Sequence, residues 1–471
     1  MQEMVKKIQL VWPLYLLVSC AGGPFFLDSK DEMENTMLSN LSLNLKVNKY
    51  KLPNGLRLLI VEDHRLPIFS YYTFFDVGGR YESREQKTTG ATHFLEHLMF
   101  KGTHNTPQGH FDQIIESKGG HTNAYTTFDA TVYHNNVPSG NLEKIIRMEA
   151  DRMKNLKIEE NSFEKERQVV LEERKLRYEN RPSGKLHLAM MQKVFKGTPY
   201  GGSVIGSKED LLSLTREQVK KFYKRFYTPD NAIIVIAGNV NPKKTYYIIN
   251  KAYGEMKKSK DLANFKKEKN APENYLPWGN FKREIKLNGS NPVPIFKMAF
   301  KGESLGTRKS FVMDILSSIL GSGKSSYLNQ KFVKGRKHML NSIHVLNYNL
   351  KYKGVFYIGG KLLKGVGLNS FKKTLIKETR KICDSAIDER SLQKTKNQYL
   401  AHYYNALQTN AGVAEFMGTR EKFYNDYSYY KKELAIYDSI QIPEVKKTCH
   451  EIFDSQEYIF LSIWKNHPKR S

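Results

Sequence analysis

Gly90-Ala-Thr-His-Phe-Leu-Glu-His-Leu-Met-Phe-Lys-Gly-Thr103 carries a His-x-x-Glu-His pattern at positions 93 to 97. On a helix, positions i, i+3 and i+4 share a face, so His93, Glu96 and His97 project together. Two neutral imidazoles suit Zn²⁺, and a catalytic zinc needs one more protein ligand plus an open position for water. Glu96 stands one residue before the second imidazole, where it can take a proton from that water. Phe94 and Leu95 leave this face and pack the helix onto a core. The bland alternative is a surface helix with incidental histidines.

A third ligand is to be sought among carboxylates on another element. Phe163-Glu-Lys-Glu-Arg-Gln-Val-Val-Leu-Glu-Glu-Arg-Lys175 offers Glu166 and Glu173, seven apart and hence on one helical face. Glu172 is turned about 100° from Glu173. Either Glu173 or Glu166 is the ligand, and the other is a carboxylate that orients a metal-bound histidine. An acidic solvated face balanced by Arg167, Arg174 and Lys175 is the alternative.

These segments, with Gly119-Gly-His-Thr-Asn-Ala-Tyr-Thr126, Phe226-Tyr-Thr-Pro-Asp-Asn231 and Gly238-Asn239, resemble the inverted-zincin peptidases: pitrilysin, insulin-degrading enzyme and the mitochondrial processing peptidase. The resemblance implies one Zn²⁺ per chain, held by His93, His97 and Glu173, with Glu96 as base and Glu166 as a second acidic residue of the site. It implies that Asn123, Ala124 and Tyr125 lie on a strand edge near the metal, where an extended peptide adds as a further strand. It also implies two half-chains closing around a chamber. This chain has room for one half, like the short two-chain branch that includes the beta subunit of the processing peptidase. Many active relatives carry an Arg and a Tyr after a glycine turn in the metal-free half. Here those positions fall at Lys334 and at Leu340 or Asn341, so the resemblance points to a related metal-free partner chain supplying the pair, with a homodimer as the other option.

Outward from the motif, the chain repeats one order of elements. The first copy runs from Leu56-Arg-Leu-Leu-Ile-Val61 to Asn231-Ala-Ile-Ile-Val-Ile-Ala237, the second from Ile295-Phe-Lys-Met-Ala-Phe300 to Glu457-Tyr-Ile-Phe-Leu-Ser-Ile-Trp464. The expected fold class is α+β: two homologous α/β sandwich domains, each an antiparallel-rich sheet with packed helices. Residues 45–255 form the zinc-binding peptidase domain, 256–280 a Lys-, Asn- and Pro-rich linker, and 281–467 a metal-free homologous domain. In the second copy the apolar Phe311-Val-Met-Asp-Ile-Leu-Ser-Ser-Ile-Leu320 stands where the metal motif would recur. Gly321-Ser-Gly-Lys-Ser325 is not a phosphate loop, because Ser318 occupies the position of the first glycine and no strand precedes it.

Composition bounds the rest. The chain has 471 residues, 40% hydrophobic and 26% charged, with three cysteines, which excludes a disulfide-built scaffold or a Cys-rich zinc module. The net charge of +27 divides into 42 basic against 32 acidic side chains over residues 1–280 and 33 against 16 over residues 281–471. It is scattered lysine, without a nucleic-acid-binding motif, so no nucleic-acid partner is expected. Residues 1–20, with Lys6, Lys7 and an apolar run from Ile8 to Val18, read as a lipoprotein signal ending in Leu17-Val-Ser-Cys20. Cys20 is then the lipidated residue, residues 21–44 a polar tether, and the location a bacterial outer membrane facing the periplasm. Cys383 and Cys449 either pair there or remain buried thiols. The remaining histidines (His64, His104, His110, His134 and others) lack ligand spacing and are expected in solvent. The expected function is a zinc-dependent endopeptidase acting on peptides or unfolded segments. The rivals are a non-catalytic assembly subunit on the same fold and a basic polyanion-binding envelope protein.

Overall fold

The structure, a computed structural model, describes residues 45–275, 278–336 and 338–465. The signal at 1–20, the tether at 21–44 and Cys20 lie outside the described residues.

The first sheet contains β1 (Val47–Lys51), β2 (Arg57–Glu62), β3 (Ile68–Phe75), β4 (His121–Thr126), β5 (Thr131–Pro138) and β6 (Ala232–Gly238), in the order β1-β2-β6-β3-β5-β4. The second contains β7 (Lys282–Asn288), β8 (Ile295–Gly302), β9 (Leu340–Asn349), β10 (Gly354–Leu362) and β11 (Tyr458–Trp464), in the order β7-β11-β8-β10-β9. Without β1, the two orders coincide. Each sheet has one parallel pair, β2 with β6 and β7 with β11, and the strands beyond it pair antiparallel. The architecture is α+β, with two mixed sheets packed by helices. The strand β6 is apolar throughout and buried throughout, as a central strand covered on both faces must be.

Five helices position the site and close the two cores: α1 (Ala91–Leu98), α2 (Glu160–Arg174), α3 (Pro182–Val194), α4 (Arg308–Gly321) and α5 (Asn410–Tyr424). Alternation along the strands divides the first sheet into two apolar faces. Leu58, Ile60, Phe69 and Tyr71 pack with Phe94 and Leu95 of α1 and with Phe163 and Val170 of α2. On the other face Leu59, Val61, Tyr72 and Phe74 share a core with Val413, Phe416 and Met417 of α5, which belongs to the second copy. The exchange is mutual, because α3 of the first copy sets Leu186, Met190 and Val194 against Ala299, Val355 and Leu461 of the second sheet. Each copy thus lends a helix to the other's sheet.

The segment expected to be a linker is not free chain. It forms the helix Leu262–Lys269, in which Phe265 packs 5.4 Å from the ring of Phe226 and Lys266 Nζ pairs with Asp76 at 2.6 Å. Asp76 also faces Lys422 of α5 at 3.1 Å, so the ion pairs tie this segment and both copies together. Of the lysines in this segment, Lys266 is a counter-ion for the half-buried Asp76. The apolar stretch at 311–320 is the interior of α4, and Gly321 ends that helix, which removes any strand-loop-helix context for phosphate binding.

Candidate metal centre

The first turn of α1 is held from outside. Gly90, at φ 91°, supplies a left-handed entry, and a Cβ there would collide with the carbonyl oxygen of Ile205. The backbone amides of Gly90 and Thr92 donate to the Glu82 carboxylate at 2.7 and 2.8 Å. A buried carboxylate thereby serves the open donors at the helix start. Burial pushes Glu82 up to about 7 in spite of these bonds.

With α1 so anchored, His93, Glu96 and His97 face α2. The possible ligand atoms of His93, His97 and Glu173 all lie within 4.8 Å of one another. Nε2 of His93 is 3.6 Å and Nε2 of His97 is 3.2 Å from Oε2 of Glu173. Donors around a tetrahedral zinc with bonds of about 2.0–2.1 Å are separated by about 3.3 Å, so the two His–Glu spacings are close to those around that ion. Glu166 stands behind this group: Nδ1 of His97 donates to its Oε1 at 2.8 Å, which turns Nε2 toward Glu173. The open choice between the two carboxylates thus resolves geometrically, with Glu173 among the donors and Glu166 against the outer nitrogen of His97. Arg177 Nη2 holds the other oxygen of Glu173 at 2.7 Å, and Lys101 Nζ holds Oε2 of Glu166 at 2.7 Å. His93 Nδ1 is buried without a hydrogen-bond partner among the described residues.

The electrostatics match a cation site. Burial lowers His93 to about 3, so it is a neutral nitrogen donor. Burial also pulls on His97, but its bonds to Glu166 and Glu173 outweigh that and lift it to about 10, so a bound metal would take the place of the proton that Nε2 shares with Glu173. Burial opposes ionisation of Glu173, yet His93, His97 and Arg177 hold its carboxyl well below the usual range. Burial raises Glu96. Two imidazoles and one anionic oxygen form a zinc-type donor set, poor in the oxygens that calcium or magnesium demands.

Thr126, to which the motif itself assigned no role, donates from Oγ1 to Oε2 of Glu96. Its neighbour Tyr125 points the opposite way, through the sheet, and its hydroxyl donates to Glu415 of α5. Ala124 is buried, and the side-chain oxygen of Asn123 accepts the Ala124 amide at 2.9 Å. The strand β4 does lie at the sheet edge. Its side-chain bond to the site comes from Thr126, which only the pleat alternation would have indicated.

Elsewhere, Lys334 is exposed at the end of a helical turn, Leu340 is buried, and Asn341 donates to the carbonyl of Leu362 at 3.0 Å. Neither an Arg nor a Tyr occupies those positions. His64, His104 and His110 are exposed as expected. His134 is not; it is half-buried beside Tyr72, and burial lowers it to about 4. His187 and His344 are likewise half-buried. Cys383 and Cys449 form a buried disulfide with Cα atoms 5.6 Å apart.

A duplicated α+β chain with an inverted His-x-x-Glu-His motif and a Glu on a second helix defines a two-domain metallopeptidase of the pitrilysin type. The chain belongs to the M16 peptidase family: residues 58–208 match the insulinase family (peptidase family M16), and residues 213–399 match the peptidase M16 inactive domain. It is 29% identical to zinc protease PqqE of Helicobacter pylori over 373 residues, 77% of this chain and 80% of the relative. It is 26% identical to a probable mitochondrial-processing peptidase subunit beta of Arabidopsis thaliana over 425 residues, 88% of this chain and 77% of the relative. The crystal structure of a protease from Helicobacter pylori matches with a TM-score of 0.81 at 25% identity, covering 89% of this chain and 100% of that chain. The His93, His97 and Glu173 group is consistent with the zinc site of such a peptidase.

Proposed function

We propose that this chain is a zinc-dependent endopeptidase that cleaves peptides or unfolded segments. The convergence of His93, His97 and Glu173, with Glu96 on the same face of α1, carries the reading. These three side chains would hold one zinc, which when bound polarises a carbonyl and acidifies a water. Glu96 takes the proton of the attacking water on Oε1 and later returns it to the leaving amine, while Thr126 fixes Oε2. Burial raises Glu96 toward the range in which a carboxyl can both accept and give a proton. The edge of β4 offers unpaired backbone groups to an extended substrate, which gives affinity with little sequence demand. The test is zinc content measured together with cleavage of a quenched peptide library, for the native chain and for Glu96→Gln. Cleavage that did not depend on Glu96 would overturn the reading. The intact donor set weighs against a purely structural subunit.

A related metal-free partner chain supplying an Arg and a Tyr, or a second copy of this chain, belongs to the same proposal. Lys334, Leu340 and Asn341 support it, because none of them offers a bidentate cation or a phenolic donor. Activity of the isolated chain that is insensitive to co-expressed partners would refute the two-chain form. Anchoring through Cys20 to a bacterial outer membrane is proposed from Leu17-Val-Ser-Cys20, and the Cys383–Cys449 bond suits an oxidising compartment. Unchanged mass and fractionation of Cys20→Ser would sink it. Among the described residues no helix is long and apolar enough to cross a membrane.

A further inference from the structure

Two of the histidines outside the metal centre meet a lysine on the second sheet. Lys297 on β8, Gly359 on β10 and His344 on β9 are direct cross-strand partners in one row. Gly359 keeps the row open, since a Cβ there would lie 2.6 Å from Nε2 of His344. The imidazole therefore leans across the glycine toward β8. Nζ of Lys297 sits 3.8 Å from the ring centroid of Tyr357 on the same face. The covering helix α3 adds His187, whose Nδ1 is buried without a hydrogen-bond partner among the described residues.

Lys297 is only 8% exposed, and among the described residues its ammonium has no ion pair or hydrogen bond. Among the same residues no carboxylate pairs with His187 or His344 either. Burial alone lowers Lys297 to about 7, and burial lowers His344 to about 4 and His187 to about 3. Burial thus holds the two imidazoles neutral and Lys297 close to neutral, so three side chains with N–H donors share this face, with no carboxylate paired to them among the described residues. The row is linked to the metal centre through the chain itself. Arg177, which holds Glu173, lies in the turn after α2; Gly184 of α3 packs against the Arg177 carbonyl; His187 stands one helical turn further on. That path is about 15–20 Å long, and an extended peptide covers it in roughly five residues.

We propose that Lys297, His344 and His187 form a subsite for a carboxylate of the bound peptide, either an acidic side chain or the C-terminal group. The proposal rests on the endopeptidase reading and adds its substrate class: peptides with an acid roughly five residues from the cleaved bond. Lys297 supplies the counter-charge and the two imidazoles supply donors, bonds that are stronger for an ionised acceptor.

The test measures binding to the full chain carrying Glu96→Gln, so that it does not depend on turnover. The probes are a fluorescein-labelled nine-residue peptide without acids, ending in an amide; the same peptide with a free C-terminal carboxylate; and the amide with one internal Glu. At least one acidic form should bind about tenfold tighter than the neutral amide, and which one does so identifies the source of the carboxylate. Adding Lys297→Met should erase that advantage while zinc content and affinity for the neutral peptide stay unchanged. Should Lys297→Met fail to fold, His344→Gln serves instead and should reduce the advantage about threefold. Equal binding of the three peptides, no binding of any, or an acid preference that survives both substitutions overturns the subsite. The endopeptidase reading fails separately, through Glu96-independent cleavage or none by the native chain.

Discussion

Nδ1 of His97 and Oε1 of Glu166 lie 2.8 Å apart, and the other Glu166 oxygen takes the ammonium of Lys101 at 2.7 Å. This relay fixes the ring so that Nε2 points at Glu173. Glu166→Gln keeps the shape but weakens the hold on the imidazole, so zinc affinity should fall about 10- to 100-fold. Competition against a calibrated chelator measures it, and restored cleavage at excess zinc would place the defect in metal binding. An unchanged affinity would leave Glu166 without the orienting role.

Metal holding and proton transfer should separate by substitution. Glu96→Gln leaves His93, His97 and Glu173 intact, so about one zinc per chain should remain while turnover falls by about 10²-fold or more. His97→Ala and Glu173→Ala should lose the metal itself, because three protein donors are needed to hold it. Thr126→Val frees Oε2 of Glu96 without touching a donor, and kcat should drop about tenfold at constant zinc content. Near-normal turnover in Glu96→Gln would show that another group is the base.

The metal motif was legible because its residues are contiguous and a helix alone dictates their shared face. The choice between Glu166 and Glu173 was not, since a spacing of seven puts both on that face. What separates them is the nitrogen of His97 that each meets, Nε2 for Glu173 and Nδ1 for Glu166, and that depends on how α1 meets α2. The repeat of strand order could be read from the runs of apolar residues, whereas the exchange of α3 and α5 between the sheets could not. Their apolar faces say that they are buried, without saying against what. Thr126 and Glu82 escaped for the same reason: one acts through the pleat of β4, the other through a loop that closes on the start of α1.

The disulfide gives a prediction confined to the second copy. Cys383 and Cys449 are 66 residues apart, and a loop of that size restricts the unfolded chain by about 4 kcal/mol in the chain-entropy account. Reduction, or Cys383→Ser, should lower the unfolding midpoint without changing zinc content, because the bond is remote in sequence from His93, His97 and Glu173. Thermal melts with and without reductant check this, and coincident melts would show that the bond contributes little.

Asp314, half-buried on α4, makes stability depend on pH. Its Oδ1 accepts from Nδ2 of Asn347 at 2.8 Å and its Oδ2 accepts from the hydroxyl of Tyr437 at 3.0 Å. Burial pushes the carboxyl from 3.8 up to about 7, and nearby Glu433 adds to the rise. Between those two values the unfolded chain releases this proton while the native chain keeps it. Stability from this group is therefore full below about pH 4 and is lost as the pH rises toward 7, after which it is flat. Asp314→Asn cannot titrate, so its stability relative to the native chain should improve from pH 4 to pH 8, by an amount on the order of a few kcal/mol. Urea unfolding of both proteins across that range supplies the difference, in which titrations common to the two cancel. A difference that stayed constant from pH 4 to pH 8 would mean that Asp314 titrates alike in the native and unfolded chains, with its hydrogen bonds to Asn347 and Tyr437 offsetting the cost of burial.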